Sequence, residues 1–195
     1  MILAQLKADT RELHDHAEAA LNLLDPGLTR ERYVEVLRGL HALYTPLCED
    51  IGLWLAGHAA LDWPARRAVK VDALGADLRD LGARPAAPRA VPTLPGEAHA
   101  WGALYVLEGA TLGGQLLRRH MAAQLNLGGL DQKARGLAFF SSYGDQVGPR
   151  WKAFGAALTA RCSGEDAAFH AAVVDGARHT FALFSTLAGR VEARA

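Results

Sequence analysis

The stretch Trp101–Gln115, WGALYVLEGATLGGQ, constrains the fold of this chain more than any other. Most of its residues are good helix formers, yet Gly102, Gly109, Gly113 and Gly114 interrupt it. An interior glycine costs roughly 1 kcal/mol relative to alanine, so the four together cost about 4 kcal/mol of helix stability. The first three are spaced seven and four residues apart, which places them on one helix face. That face is bare backbone.

The bare face has two interpretations. Another helix could pack closely against it through a small-xxx-small motif, or the helix could be kinked there. Alternatively, a large planar ligand could lie flat against the backbone. A phosphate-binding loop is excluded, because no strand precedes the glycines and their order matches neither phosphate motif. The stretch alone does not decide between packing and a ligand.

Composition narrows the class of protein. The 195 residues, half of them hydrophobic, suffice for one domain (1–195) with a substantial core. The net charge of +0 offers no electrostatic case for nucleic acid or a membrane surface. Two cysteines without a CxxC pair argue against a disulfide framework or a thiolate zinc site. The N-terminus lacks a signal-peptide core and no apolar run approaches roughly 18 residues, so we expect a cytoplasmic protein.

Apolar residues recur at three- and four-residue steps along most of the chain, and no alternating strand pattern is convincing. The pattern predicts an all-α, single-domain bundle of seven or eight helices around one core. Thr29 is expected to cap the second helix, Pro46 to break or kink it, and Ser163 with Asp166 to form a capping box for the last helix. Four prolines make residues 84–96 an extended linker. The expected helices are about 2–23, 29–46 with a further piece to 57, 64–81, 97–125, 132–139, 149–162 and 164–191.

Among eight histidines, His14 is the best candidate for a ligand. Glu18, four residues on, can accept a hydrogen bond from one ring nitrogen, as carboxylates do for metal-bound imidazoles. Lys7, two turns earlier, suits a ligand with anionic edges. The alternative is a surface His–Glu pair that contributes little. The sequence contains no HExxH or ExxH motif and no carboxylate cluster, which argues against a bare zinc or di-iron site. A haem group, in contrast, fits a single imidazole ligand together with a glycine face.

Two motifs in order now carry a family resemblance. LKADTRELHDHAE (Leu6–Glu18) and YVLEGATLGGQ (Tyr105–Gln115) resemble the two signature regions of haem oxygenases. The likeness extends through Gly136–Phe154 and the aromatic last helix, so it covers nearly the whole chain. It is strongest to the bacterial branch associated with bacteriophytochromes.

The resemblance implies a haem-oxygenase-like helical fold and a set of site residues. His14 would bind the iron, with Glu18 as its partner, and the catalytic backbone of Gly109 and Gly113 would lie over the opposite face of the haem. The other implied haem-binding residues are Lys7, Arg150 and Lys152 near the propionates, Gly114 in the glycine motif, Tyr105 next to the family's tyrosine position, and Phe181 and Phe184 as pocket walls.

The implied activity is cleavage of haem, both substrate and cofactor, to biliverdin, carbon monoxide and ferrous iron. It would use O2 and an external reductant such as ferredoxin or a reductase, and biliverdin would pass to a bacteriophytochrome apoprotein. Animal-type enzymes carry an aspartate where this chain has Ala110, which leaves the proton route unassigned. Three alternatives remain open: a non-catalytic haem carrier or sensor, a helical interaction module, and a pocket for another small molecule.

Overall fold

A computed structural model of the chain describes residues 2–127 and 135–187, and the regular secondary structure of this part is all helical. A π-helical turn over Ala68–Asp72 joins α4 to α5 in one continuous helix, so nine α-helical segments make eight helices in the described part. The all-α prediction of seven or eight helices is confirmed, while the single domain over 1–195 stays a prediction. The segments are α1 (Ile2–Asp9), α2 (Arg11–Leu21), α3 (Arg30–Leu55), α4 (Trp63–Arg67), α5 (Ala73–Asp80), α6 (Glu97–Gln124), α7 (Ala138–Ser141), α8 (Val147–Cys162) and α9 (Ala167–Ser185).

The glycine-bearing helix α6 is the centre of the core. It packs against α9, α3, α7 and α8, and its buried side chains belong to one hydrophobic cluster with those of the surrounding helices. The helix that carries His14, α2, also packs on α9. The two motif helices are therefore both seated on α9. No described helix combines the length and the apolarity that crossing a membrane requires.

The expected first helix over 2–23 is divided at Thr10, so this prediction is wrong. Thr10 has φ −117° and ψ 3°, outside the helical range, and its hydroxyl donates to the Leu6 carbonyl at 2.7 Å. The Thr10 amide donates to the same carbonyl at 3.0 Å, and a threonine hydroxyl that shares a helix carbonyl in this way often bends the helix. The second segment ends at Leu21, because Asn22 adopts a left-handed conformation with φ 44°.

The expected break at Pro46 does not occur, and α3 continues to Leu55. Pro46 has no N–H to donate to the carbonyl of Ala42. The amide of Arg89, in the extended proline-rich linker, donates to that carbonyl instead, at 2.8 Å. The linker thus compensates for the proline. The predicted cap is confirmed, since the Thr29 hydroxyl accepts from the Arg32 amide at 3.2 Å.

Two other boundaries differ from prediction. The short helix expected over 132–139 is found as Ala138–Ser141, because the Asp77 carboxylate accepts from the amides of Ala138 and Phe139 at 2.6 and 2.9 Å. Residues 132–134 lie outside the described part. The last helix is capped by Asp166, which accepts from the Phe169 amide at 2.9 Å, rather than by Ser163. This helix ends at Ser185, with Thr186 as its C-cap, earlier than the expected end at 191, and residues 188–191 lie outside the described part.

Candidate functional site

Two of the α6 glycines are packing positions. A Cβ at Gly102 would lie 1.9 Å from the carbonyl oxygen of Val173 and 2.7 Å from the amide of Ala177, both on α9. A Cβ at Gly114 would lie 2.7 Å from the carbonyl oxygen of Phe140. No side chain fits at such distances, so the packing interpretation is correct for these two positions. Gly114, expected to bind haem with its neighbours, faces α7 instead.

The other two glycines face open space. A Cβ at Gly113 would meet no described atom within 4 Å, and one at Gly109 would meet only the Trp151 ring, at 3.9 Å. Leu112 and Leu116, on the same side of the helix, are 48% and 64% exposed. We call Gly109, Leu112, Gly113 and Leu116 the open face. An exposed apolar patch of this kind is typical of a ligand site.

The two leucines were missed by the sequence reasoning. Their signal was their spacing: Leu112 lies three and Leu116 seven residues after Gly109, which is the period of one helix face. In the sequence alone they read as ordinary core leucines.

His14 lies on α2 with its ring half-exposed and at 5.7 Å from the Phe181 ring, edge to face. Its Nδ1 is 3.4 Å from an oxygen of Asp15, and its Nε2 is 3.6 Å from an oxygen of Glu18. The expected hydrogen bond to Glu18 is therefore not formed at this distance. Each ring nitrogen nevertheless faces a carboxylate, so either one can bind a metal while the other retains an acidic neighbour. Asp15 was not anticipated.

The expected aromatic residues occupy different depths. Phe181 is buried directly behind His14, whereas Phe184 is buried against Tyr44 at 5.5 Å and so supports the core. Tyr105 is half-buried, and its ring centre lies 5.7 Å from that of Trp151 with the two planes tilted by 48°. Burial raises the pKa of the Tyr105 hydroxyl, and the nearby Thr10 hydroxyl acts in the opposite direction.

The expected cations also differ from one another. Lys7 and Lys152 are exposed. Arg150 is engaged within the protein: its Nη1 is 2.9 Å from an Asp62 carboxylate oxygen, and its guanidinium lies 5.5 Å from the centre of the Tyr143 ring. Lys7 and Lys152 can reach an anionic ligand without breaking such a contact, while Arg150 would have to leave Asp62.

A buried charge cluster directly precedes the open face, and the sequence reasoning missed it. The Glu108 carboxylate lies 2.5 Å from Nη1 of Arg66 and 2.6 Å from Nζ of Lys70, and all three residues are 1% exposed. The Tyr143 hydroxyl donates to Glu108 at 3.0 Å and accepts from Lys70 at 3.1 Å. Burial, followed by the Glu108 charge, raises the pKa of Tyr143 far above its usual range. The available signal was a glutamate among apolar residues of α6.

A small cavity lies on the side of α6 that faces α7. Its volume of about 10 Å³ is roughly what one water requires. Lys70, Thr111, Gly114, Phe140 and Ser142 contribute to its lining. It is far too small for a planar macrocycle, so the open face rather than this cavity is the candidate ligand surface.

Comparisons with known proteins agree with this geometry. A sequence profile of the family described as "Heme oxygenase" matches residues 1–190. A curated "Heme oxygenase" from Xanthomonas campestris pv. campestris (strain 8004) is 35% identical over 159 residues, which is 80% of this chain and 88% of that protein.

Two solved structures share the fold. The NO- and CO-bound haem oxygenase from Neisseria meningitidis has a TM-score of 0.81 at 26% identity, covering 100% of this chain and 94% of its own. Haem oxygenase-1 from the cyanobacterium Synechocystis sp. PCC6803, in complex with haem, has a TM-score of 0.76 at 18% identity, covering 98% and 92%. With the profile match over almost its full length, this chain belongs to the haem oxygenase family of haem-degrading enzymes.

Proposed function

We propose that the protein cleaves haem to biliverdin, carbon monoxide and ferrous iron, using O2 and electrons from an external donor such as ferredoxin or a reductase. The observation that carries the proposal is the contrast among the α6 glycines. Gly102 and Gly114 are filled by neighbouring backbone, whereas Gly109 and Gly113 face open space beside two exposed leucines. Helix packing therefore accounts for only two of the four glycines.

The described residues fit a haem group. His14 presents a half-exposed imidazole that would hold the iron, with a carboxylate beside each ring nitrogen. Gly109 and Gly113 offer a flat backbone surface, on which a Cβ would meet open space or only the edge of Trp151. Both helices are seated on α9, which also supplies Phe181 behind His14.

The chemistry is divided between the ligand and the chain. Haem supplies the iron that activates dioxygen, and the same macrocycle is the substrate. The chain's residues bind and orient it. His14 would hold the iron, and the absence of side chains at Gly109 and Gly113 would leave room for a diatomic molecule beside the macrocycle. Leu112 and Leu116 are exposed in the ligand-free protein and would exclude water from that side once the macrocycle covered them.

The edges of the haem are assigned to the remaining residues. Lys7 and Lys152, both exposed, would pair with the propionates, with Tyr105 as a hydroxyl donor and Arg150 available if it leaves Asp62. Phe184 supports the site through Tyr44 rather than as a wall. Gly114 is left out of the contact set, because α7 occupies its space.

Delivery of biliverdin to a bacteriophytochrome apoprotein, within the cytoplasm, is the finer part of the proposal. It rests on the resemblance of the EGATLGGQ segment, residues 108–115, to the bacterial branch associated with those photoreceptors.

The test is to add haem to the purified protein and then ascorbate or a ferredoxin system in air. Loss of the Soret band with growth of a broad red absorption is expected. A stable Soret band would favour the carrier or sensor interpretation. No change from the spectrum of free haem would mean that the open face is not a haem site, and would overturn the proposal.

A further inference from the structure

The buried cluster of Arg66, Lys70, Glu108 and Tyr143 has an uneven charge. Two cations surround one carboxylate, so the three ionised side chains carry a net charge of about +1 when each is in its usual form. The raised pKa of Tyr143 keeps its hydroxyl neutral, so it does not supply a second negative charge. The cluster is almost fully buried, so water and salt screen its charges only weakly.

Stability alone does not explain such a cluster. Replacing a buried ion network by apolar residues of similar volume is often neutral or stabilising, because the desolvation cost of the charges is removed. The hydrogen bonds are well satisfied: Lys70 donates to Glu108, to Tyr143 and to the Arg66 carbonyl, and Arg66 also donates to the Leu61 carbonyl. The arrangement is well built, yet it retains an excess cation inside the protein.

The position of the cluster indicates what the excess charge can act on. Glu108 directly precedes Gly109, and its side chain is turned around the helix by about 100° from the direction of Gly109 and by about 40° from that of Leu112. The cluster and the open face therefore adjoin the same turn of α6, since Glu108 and Gly109 are consecutive residues. Asp77, the next buried carboxylate on the helix that carries Lys70, lies seven residues further on, where it binds the amides of α7.

We propose that this cluster gives the open face of α6 a positive electrostatic potential, which favours anionic over neutral ligands of a haem iron bound there. The inference rests on the proposed function and deepens it. Charge that builds up on an iron ligand during the reaction would be stabilised by the same field, as preorganised charges do in other active sites. Arg66, Lys70 and Glu108 are thus positioning residues that act through space.

Charge variants test the proposal on the haem-loaded protein, with azide binding to the ferric form as the measurement. Lys70→Met and Arg66→Met each lower the cluster charge by one, and Glu108→Gln raises it by one. Coulomb's law at roughly 10 Å and an effective dielectric of about 20 gives a change of about tenfold in anion affinity per charge. Azide binding should therefore weaken about tenfold in the first two variants and tighten about tenfold in the third.

Tyr143→Phe is the matched control, because it removes a hydrogen bond of the cluster without changing its charge. Its azide affinity should stay within about twofold of the wild type. The infrared stretch of carbon monoxide on the ferrous protein is an independent readout. A positive potential weakens the C–O bond, so the frequency should rise in Lys70→Met, fall in Glu108→Gln and stay unchanged in Tyr143→Phe.

The outcomes separate the field from a packing role. Changes of the same sign in Lys70→Met and Glu108→Gln, or equal azide affinities in all haem-loaded variants, would overturn the inference and leave the proposed function intact. Failure of the wild type to bind haem would overturn both. If Glu108→Gln does not fold, as circular dichroism will show, the comparison of Lys70→Met and Arg66→Met with Tyr143→Phe decides the question.

Discussion

The two halves of α6 use glycine for opposite purposes. In the first half, Gly102 brings the helix backbone against α9, where a Cβ would overlap the Val173 carbonyl. Further along, Gly109 and Gly113 point in nearly the same direction around the helix but meet no neighbouring backbone. The difference shows that the role of a helical glycine depends on what stands opposite it, which its spacing along the helix does not reveal.

The energetics of the two halves differ in the same way. Each glycine costs the helix about 1 kcal/mol relative to alanine. At Gly102 this cost is offset by close packing against α9. The partner helix also has a glycine at the contact, Gly176, where a Cβ would lie 2.2 Å from the His99 carbonyl oxygen of α6. At Gly113 no described contact offsets it. The ligand-free protein would gain stability from a side chain there, so the glycine is explained by what binds.

Gly102→Ala should have the largest effect on stability. Its new Cβ would collide with the backbone of α9 at Val173 and Ala177, and neither atom can move aside as a side chain could. We expect a loss of about 3 kcal/mol or more, or failure to fold, measured by chemical and thermal unfolding. A loss below about 1 kcal/mol would show that α6 and α9 are not in backbone contact at Gly102. Packing would then not distinguish Gly102 from Gly113.

His14→Ala should abolish normal axial ligation of haem and with it turnover. The control is His16→Ala on the same helix, whose side chain points about 160° away from that of His14 and is also exposed. The absorption spectrum of the haem-loaded protein is the measurement. A spectrum unchanged in His14→Ala, or changed equally by both substitutions, would contradict the assignment of His14 as the iron ligand.

Asp77→Asn should alter how the free energy of unfolding depends on pH and should leave the open face unaffected. Burial is the main cause that raises the pKa of this carboxyl from 3.8 to about 6, although the amides of Ala138 and Phe139 oppose it. Because the folded-state pKa lies above the unfolded value, Asp77 lowers stability progressively as the pH rises from 4 to 6. A shift of about two units corresponds to roughly 3 kcal/mol.

The substitution should remove most of that fall, measured as the unfolding free energy at several pH values. The exposed Asp145, substituted in the same way, is the control and should leave the slope unchanged. Haem affinity should not change in Asp77→Asn, because α7 lies against Gly114 and not against the open face. A slope equal to that of the wild type would mean that Asp77 ionises normally.

Gly113→Leu should weaken haem binding by about tenfold or more while the protein remains folded. The substituted side chain would extend from a position where a Cβ meets only open space, so it obstructs the ligand and not the fold. Haem titration and a thermal melt are the paired measurements. Wild-type affinity and turnover in this variant would support the helix-packing interpretation for the open half as well.

The sequence was sufficient for elements whose cause is local. The Thr29 cap and the linker of residues 84–96 were predicted from neighbouring residues and are present, and α6 was predicted over 97–125 and found over Glu97–Gln124. The break expected at Pro46 is absent because the Arg89 amide, 43 residues away, supplies the hydrogen bond that the proline cannot donate. Helical periodicity depends on neighbouring residues and does not reveal a partner so distant in the sequence.

The candidate site divides along the same line. His14 and the glycine motif could be proposed from short motifs, whereas the Glu108 cluster depends on Arg66 and Lys70, which are 42 and 38 residues distant. Gly102, Gly109 and Gly113 likewise looked equivalent, because the difference between them lies in whether α9 stands opposite. Local chemistry predicted which helices matter, and only the packing distinguished the residues within them.

Gly113→Ala should have the smallest effect, and its sign is what matters. The new methyl group would meet no described atom within 4 Å, so no collision opposes the gain in helix propensity. We expect the ligand-free protein to become more stable by up to about 1 kcal/mol, measured by chemical unfolding. The same substitution at Gly102 should destabilise, so alanine at two positions of one helix would act in opposite directions. A loss of stability at Gly113 would mean that the open half is packed in the ligand-free protein, and the glycine there would no longer need a ligand to explain it.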